Sequence, residues 1–130
     1  MRDVGFGGKH LDKSVFDFIC SQIPCGSSIL ELGSGWVTGQ LSYFYTMYSI
    51  EESESWLYRY DSHYIYAPLY DNWYDTRILK YELPYVSYSC ILIDGPFRRR
   101  HRFGFYDNLS LFDTDAMIIF DEVNYTQLYS

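Results

Sequence analysis

Ile29-Leu30-Glu31-Leu32-Gly33-Ser34-Gly35 is a short apolar run that carries one acid and closes on two glycines one residue apart. An apolar run of this length, bounded by turn residues, reads as a buried parallel strand. Glycines directly after such a strand let the backbone turn tightly and let a ligand approach it closely. A Gly-x-Gly in this place also serves as a plain structural turn, so its meaning depends on the residues downstream of it.

Working outward, apolar Leu11, Val15, Phe16, Ile19 and Ile23 recur at helical spacing, and Pro24 and Gly26 stop that helix. After the glycines a short helix is predicted over Thr38 to Tyr45, then a second strand over Met47 to Ile50 that ends at Glu51. Glu54 to Tyr60 reads as a further helix, with Trp56, Leu57 and Tyr60 on one side. Tyr64 to Leu69 reads as a third strand closed by Pro68. The stretch Asp71 to Tyr85 gives the weakest pattern, a loop with a helical turn. Ser89 to Asp94 and Ala116 to Asp121 are a fourth and a fifth buried strand, with a helix predicted between them over Gly104 to Leu111.

Strands alternating with helices imply an α/β fold: a Rossmann-like open, mostly parallel sheet of about five strands with helices on both faces. The 130 residues suit one domain with one core, and no internal repeat or linker divides them. Ligands in such sheets sit at the carboxyl ends of the strands. Glu51, Asp94 and Asp121 end three of the strands there, and Gly33-Ser34-Gly35 ends the first. A packed core has no need of that coincidence.

Composition narrows the function. A hydrophobic fraction of 48% excludes a disordered chain. A net charge of −7 argues against nucleic-acid binding, which needs cations spread over a face. No stretch has the length of a membrane span, and the first residues lack a signal-peptide core. Cys20, Cys25 and Cys90 form no Cys-x-x-Cys motif and read as reduced, in a cytoplasmic protein. The 15 tyrosines read as a compositional bias filling half-buried places.

Taken together, Glu31 to Thr38, Glu51 and Ile91-Leu92-Ile93-Asp94-Gly95-Pro96 resemble the motifs of the class I S-adenosylmethionine-dependent methyltransferases. Tyr66-Ala67-Pro68-Leu69, Trp73-Tyr74-Asp75 and Phe120-Asp121-Glu122-Val123-Asn124 resemble a small-molecule branch of that superfamily. The likeness runs from about Ser28 to Asn124. It implies a donor site in which Glu51 accepts hydrogen bonds from both ribose hydroxyls. Gly33, Ser34 and Gly35 would lie against the methionine portion, Glu31 would help hold its ammonium end, and Ala67, Pro68 and Leu69 would lie near the adenine. An NAD fingerprint would need glycine at position 38, which is Thr38, so an NAD-binding oxidoreductase domain fits less well.

The resemblance places the acceptor at Asp94, with His101 as a second candidate base. Some O-methyltransferases of the superfamily bind Mg²⁺ through an acid after the fourth strand and an acidic pair after the fifth, a pattern that Asp94, Asp121 and Glu122 resemble. Arg98, Arg99 and Arg100 stand out in an acidic chain and suit an anionic small-molecule acceptor. Asp94-Gly95-Pro96-Phe97 departs from the motif of the methyltransferases that act on nucleic-acid bases. Members of the superfamily usually continue beyond the fifth strand, whereas this sequence stops at Ser130. The expectation is an apparently C-terminally short domain whose fifth-strand edge is covered by a second copy or a partner. Two classes therefore fit: a methyltransferase acting on oxygen or nitrogen, and a non-catalytic donor-binding or fold-remnant module working as a subunit.

Overall fold

The computed structural model describes residues 12–96 and 102–120. The strand β1 (Ser28–Leu32) lies at the centre of a five-stranded sheet. It pairs in parallel with β2 (Thr46–Glu51) on one side and β6 (Cys90–Ile93) on the other. Outside these lie β3 (His63–Tyr66) and β7 (Met117–Phe120), both parallel to their neighbours. The order β3-β2-β1-β6-β7 makes an open α/β sheet of the Rossmann type, as its sequence pattern predicts. The chain runs from the centre to one edge, then crosses back to start the other half. Strand order therefore reverses between β1 and β6, and the crevice beyond their carboxyl ends is where this architecture accepts ligands.

Side chains alternate across each strand, so the sheet supports two separate cores. Leu30 and Leu32 face Ile50, Ile65, Ile91 and Ile93 on one side, under α3 (Thr76–Glu82), α4 (Gly104–Asp107) and Phe112. Ile29 faces Met47, Cys90 and Leu92 on the other side, under α1 (Asp12–Gln22) and α2 (Trp36–Leu41). Val15, Ile19 and Ile23 supply the buried stripe of the first helix. Leu11, expected to join them, lies outside the described residues.

Several boundaries differ from the sequence pattern. The helix after the glycines begins at Trp36 and has ended by Ser42, because Gly35 is its extended first cap and the Thr38 hydroxyl accepts the Gly35 N–H at 2.9 Å. The helix expected over Glu54 to Tyr60 is a single 3₁₀ turn, Glu54–Trp56. Tyr58 has φ +61°, which no right-handed helix can contain. The aromatic spacing that mimicked a helix instead serves ring contacts: Trp56 stacks with Tyr60, and Tyr58 meets Tyr64 edge-on.

The third strand also ends early, at Tyr66. Beyond it, β4 (Leu69–Tyr70) pairs antiparallel with β5 (Trp73–Tyr74). Asp71 and Asn72, with φ +57° and +72°, form the two-residue turn. Paired left-handed residues suit the twist of a tight hairpin, and Asp and Asn tolerate them best. Asp75 then caps α3 by accepting the Arg77 N–H at 3.0 Å. The helix predicted over Gly104 to Leu111 breaks at Asn108, whose side-chain amide donates to the Gly104 carbonyl at 2.8 Å, and a 3₁₀ turn follows over Leu109–Leu111. No helix among the described residues is long and apolar enough to cross a membrane.

Candidate functional site

The tips of β1, β2 and β6 bring Gly33, Glu51 and Asp94 to one edge of the sheet. Gly33 has φ +92°, and its N–H donates to the Ile50 carbonyl at 2.8 Å. A Cβ there would come within 3.0 Å of the Asp94 carbonyl group and of Gly95 Cα. Gly95 is equally confined: a Cβ on it would meet the Tyr74 hydroxyl at 2.3 Å and Gly33 Cα at 3.0 Å. The two glycines thus let the loops after β1 and β6 pass backbone against backbone. Gly35 differs from both. Its φ of −164° is ordinary extended backbone, and a Cβ on it would meet nothing within 4 Å among the described residues. Packing among the described residues does not require glycine there, and leaves space above it.

Glu51 ends β2 and closes on this turn. Its Oε1 accepts the Ser34 N–H at 2.7 Å and its Oε2 accepts the Ser53 N–H at 2.9 Å. Burial raises its pKa, and hydrogen bonds from the Ser53, Ser34 and Glu52 backbone N–H groups oppose that rise. On the far side of the acid, the Ala67 N–H donates to the Glu51 carbonyl at 2.9 Å. The segment Ala67-Pro68-Leu69 therefore leaves β3 directly beside Glu51: Ala67 is buried, Pro68 accepts the Asp75 N–H, and Leu69 is exposed.

Glu31 lies beneath the glycine turn. It is fully buried, and its Oε1 accepts hydrogen bonds from Thr38 Oγ1 at 2.5 Å and Ser49 Oγ at 2.8 Å. Ser49 faces it across the β1–β2 register. Burial pushes its pKa up to about 8, against the two hydroxyl donors, with Asp94 and Glu51 adding to the rise. The network continues from Ser34 Oγ, which lies 2.8 Å from the Tyr64 hydroxyl and 3.3 Å from Thr38 Oγ1. Thr38 thus has a use that glycine could not serve: its hydroxyl links Gly35 to Glu31.

On the other half of the edge, the Asp94 N–H donates to the Leu32 carbonyl at 2.9 Å. The Asp94 side chain is partly exposed and lies 3.6 Å from the Arg102 guanidinium. Arg102 also donates from Nε to the Pro96 carbonyl at 3.2 Å, strapping the loop that follows β6 through the cis peptide Gly95-Pro96. Arg98, Arg99, Arg100 and His101 lie outside the described residues, as do Asp121 and Glu122. The expected Mg²⁺ set is therefore represented by Asp94 alone. Among the described residues no group of three or more His, Cys, Asp and Glu is arranged to hold a metal.

Four contributors escape a reading of the sequence. Thr38, Ser49 and Tyr64 meet Glu31 and Ser34 only through strand register and the start of α2. Tyr74 is the fourth: its buried hydroxyl has no partner among the described residues, and it reaches the Gly33–Gly95 crossing from the β4–β5 hairpin. Burial and the nearby Glu51, Glu52 and Asp94 hold that phenol well above its ordinary range. Arg102 carried a visible signal, the basic run that it closes, but only the fold brings it to Asp94. Against known proteins, no family model, curated protein or solved structure matches this chain.

Proposed function

We propose that the chain binds S-adenosylmethionine across the tips of β2 and β1 and passes its methyl group to oxygen or nitrogen of a small-molecule acceptor. The observation that carries this reading is the Ser34 N–H to Glu51 hydrogen bond of 2.7 Å, set beside the open space above Gly35. It holds a carboxylate at the mouth of a glycine turn, one strand away from the reversal of strand order.

The fit is chemical. A carboxylate has about four acceptor sites, and the Ser34, Ser53 and Glu52 N–H groups draw on those of Glu51 without filling them, so a ribose hydroxyl can still be accepted. A carboxylate also repels a phosphorylated ribose. Ala67, Pro68 and Leu69, tied to Glu51 through its carbonyl, would border the adenine. Gly35 would let the methionine portion lie on the backbone. The bound donor supplies a methyl group already activated by a positive sulfur, so the chain needs chiefly to align the acceptor and take its proton. Asp94 is the candidate base, steadied by Arg102. The reading extends to His101, to an anionic acceptor at Arg98, Arg99 and Arg100, to Mg²⁺ at Asp94, Asp121 and Glu122, to a second copy or partner along β7, and to a cytoplasmic setting.

Calorimetric titration with S-adenosylmethionine and S-adenosylhomocysteine tests it. Binding of both is expected, and binding of neither overturns the reading. Methyl transfer to a metabolite panel, with and without Mg²⁺, then separates an enzyme from a non-catalytic donor-binding module.

A further inference from the structure

Glu31 is an acid where the fold requires none. On its face of β1 the preceding residue is Ile29, and its strand neighbours are Ser49 on β2 and Leu92 on β6. The α1 face above presents Val15, Ile19 and Ile23, and α2 contains no titratable side chain. Among the described residues, the charged groups acting on Glu31 are themselves acids, Glu51 at the end of β2 and Asp94 after β6. From β3 comes Tyr64, whose phenol burial holds above its usual range. Two hydroxyls serve Oε1, while Oε2 is buried with no hydrogen-bond partner among the described residues. An isolated carboxylate in such a place is costly, and the neutral acid is the cheaper form. Yet Glu31 is only one hydroxyl from the glycine turn, because Thr38 Oγ1 bonds both Glu31 and the Gly35 N–H.

We propose that Glu31 keeps its proton while the site is empty and releases it to solvent when a positively charged ligand settles on the glycine turn, so that donor binding is tied to proton release. The O–H bond of the acid breaks, its electron pair stays on the carboxylate, and the proton passes to buffer. The ligand's positive charge compensates the new negative one, in a medium where such attraction is strong. Thr38 and Ser49 already aim their donors at the oxygen that becomes charged. The inference rests on the donor reading above and assigns a regulation to that same site, a donor affinity that rises with pH.

The test is calorimetric titration of the full chain in buffers of different ionisation enthalpy. Near neutral pH, S-adenosylmethionine should release roughly one proton on binding. S-adenosylhomocysteine, with one positive charge fewer, should release less. In the unaltered protein the release should fade above a pH of about 8. Glu31→Gln should bind the donor more weakly, with no proton released at saturating donor. Binding without proton release in the unaltered protein overturns the inference, as does equal release from Glu31→Gln. Binding of neither compound is the failure of the donor reading itself, and takes this inference with it. Infrared difference spectra provide a check that needs no ligand. The ligand-free protein at neutral pH should show a buried carboxylic-acid carbonyl band that Glu31→Gln lacks, and its absence from the unaltered protein rejects the inference.

Discussion

The two halves of the sheet's carboxyl edge are built differently. Around β1, β2 and β3 the edge is a polar net: Glu51, Ser34, Thr38, Tyr64, Ser49 and Glu31 are joined by hydrogen bonds that also involve the backbone of the glycine turn. Around β6 and β7 the Asp94–Arg102 pair at the tip is backed by an aromatic layer on one face of the sheet. Phe105 packs against Phe112 and Phe120, Tyr106 stacks on Phe120, and Trp73 lies against Gly104 at the start of α4. Hydrogen bonds fix atoms to within tenths of an ångström, whereas stacked rings constrain shape more than position. On the proposed reading, the first half would suit a donor of fixed structure, and the second an acceptor defined more by its bulk.

Breaking the seam between the halves should have the largest effect. Gly95→Ala drives a Cβ into the Tyr74 hydroxyl and Gly33 Cα, and should cost about 3 kcal/mol in urea unfolding. Adding Tyr74→Phe should recover part of that loss, since it removes the atom nearest the new methyl group. No recovery would place the strain in the backbone crossing alone.

Next in size is Glu51→Ala. Loss of a charge-assisted hydrogen-bonding group costs about 1.5–3 kcal/mol, so donor affinity should fall roughly 10- to 100-fold in calorimetry. The same substitution should leave acceptor affinity almost unchanged if the two halves work independently.

The buried acid of the polar half predicts a pH dependence. The pKa of Glu31 rises from 4.5 to about 8 on folding, so the native state holds its proton more tightly than the unfolded chain does. Its contribution to stability is fully present below about 4.5 and is lost as pH rises through about 8. Unfolding midpoints measured across that window should fall more steeply for the unaltered protein than for Glu31→Gln. Parallel curves would mean that Glu31 is charged throughout.

The finest distinction separates the two glycines of the turn. Gly33→Ala should destabilise by about 1–3 kcal/mol, since it combines a positive φ with a 3.0 Å contact. Gly35→Ala, in extended backbone with open space above it, should cost under about 1 kcal/mol, the size of a helix-cap effect. Its consequence should appear instead as weakened donor binding. Equal donor affinity in Gly35→Ala and the unaltered protein would mean that no ligand lies on that residue.

Much of this molecule was legible before folding. The apolar runs Ile29–Leu32 and Ile91–Ile93 are buried strands because their length and composition fit nothing else as well, whereas Met117–Phe120, also expected to be buried, forms a sheet-edge strand that is only partly covered, with Ile118 exposed. Five strands with helices between them leave few arrangements, and the parallel open sheet is the one observed. Glu51 and Asp94 could be placed at strand tips by counting, because strand direction is shared in such a sheet. Local spacing misled where aromatic residues four apart mimic a helix: at Trp56 and Tyr60 ring stacking, not helix, satisfies the pattern, and Tyr58 turns the backbone away.

The pattern of residues determined which five strands build the main sheet, though not the β4–β5 hairpin, and which end of the sheet carries the acids, since both follow from local hydrophobic order and chain direction. Only the tertiary structure decided that Ser49 and Thr38 meet Glu31, that Arg102 meets Asp94, and that Tyr74 crosses to the Gly33–Gly95 seam. Those contacts depend on strand register and on where a hairpin folds back. Register is set by the packing of both sheet faces at once, a condition that no single stretch of sequence contains.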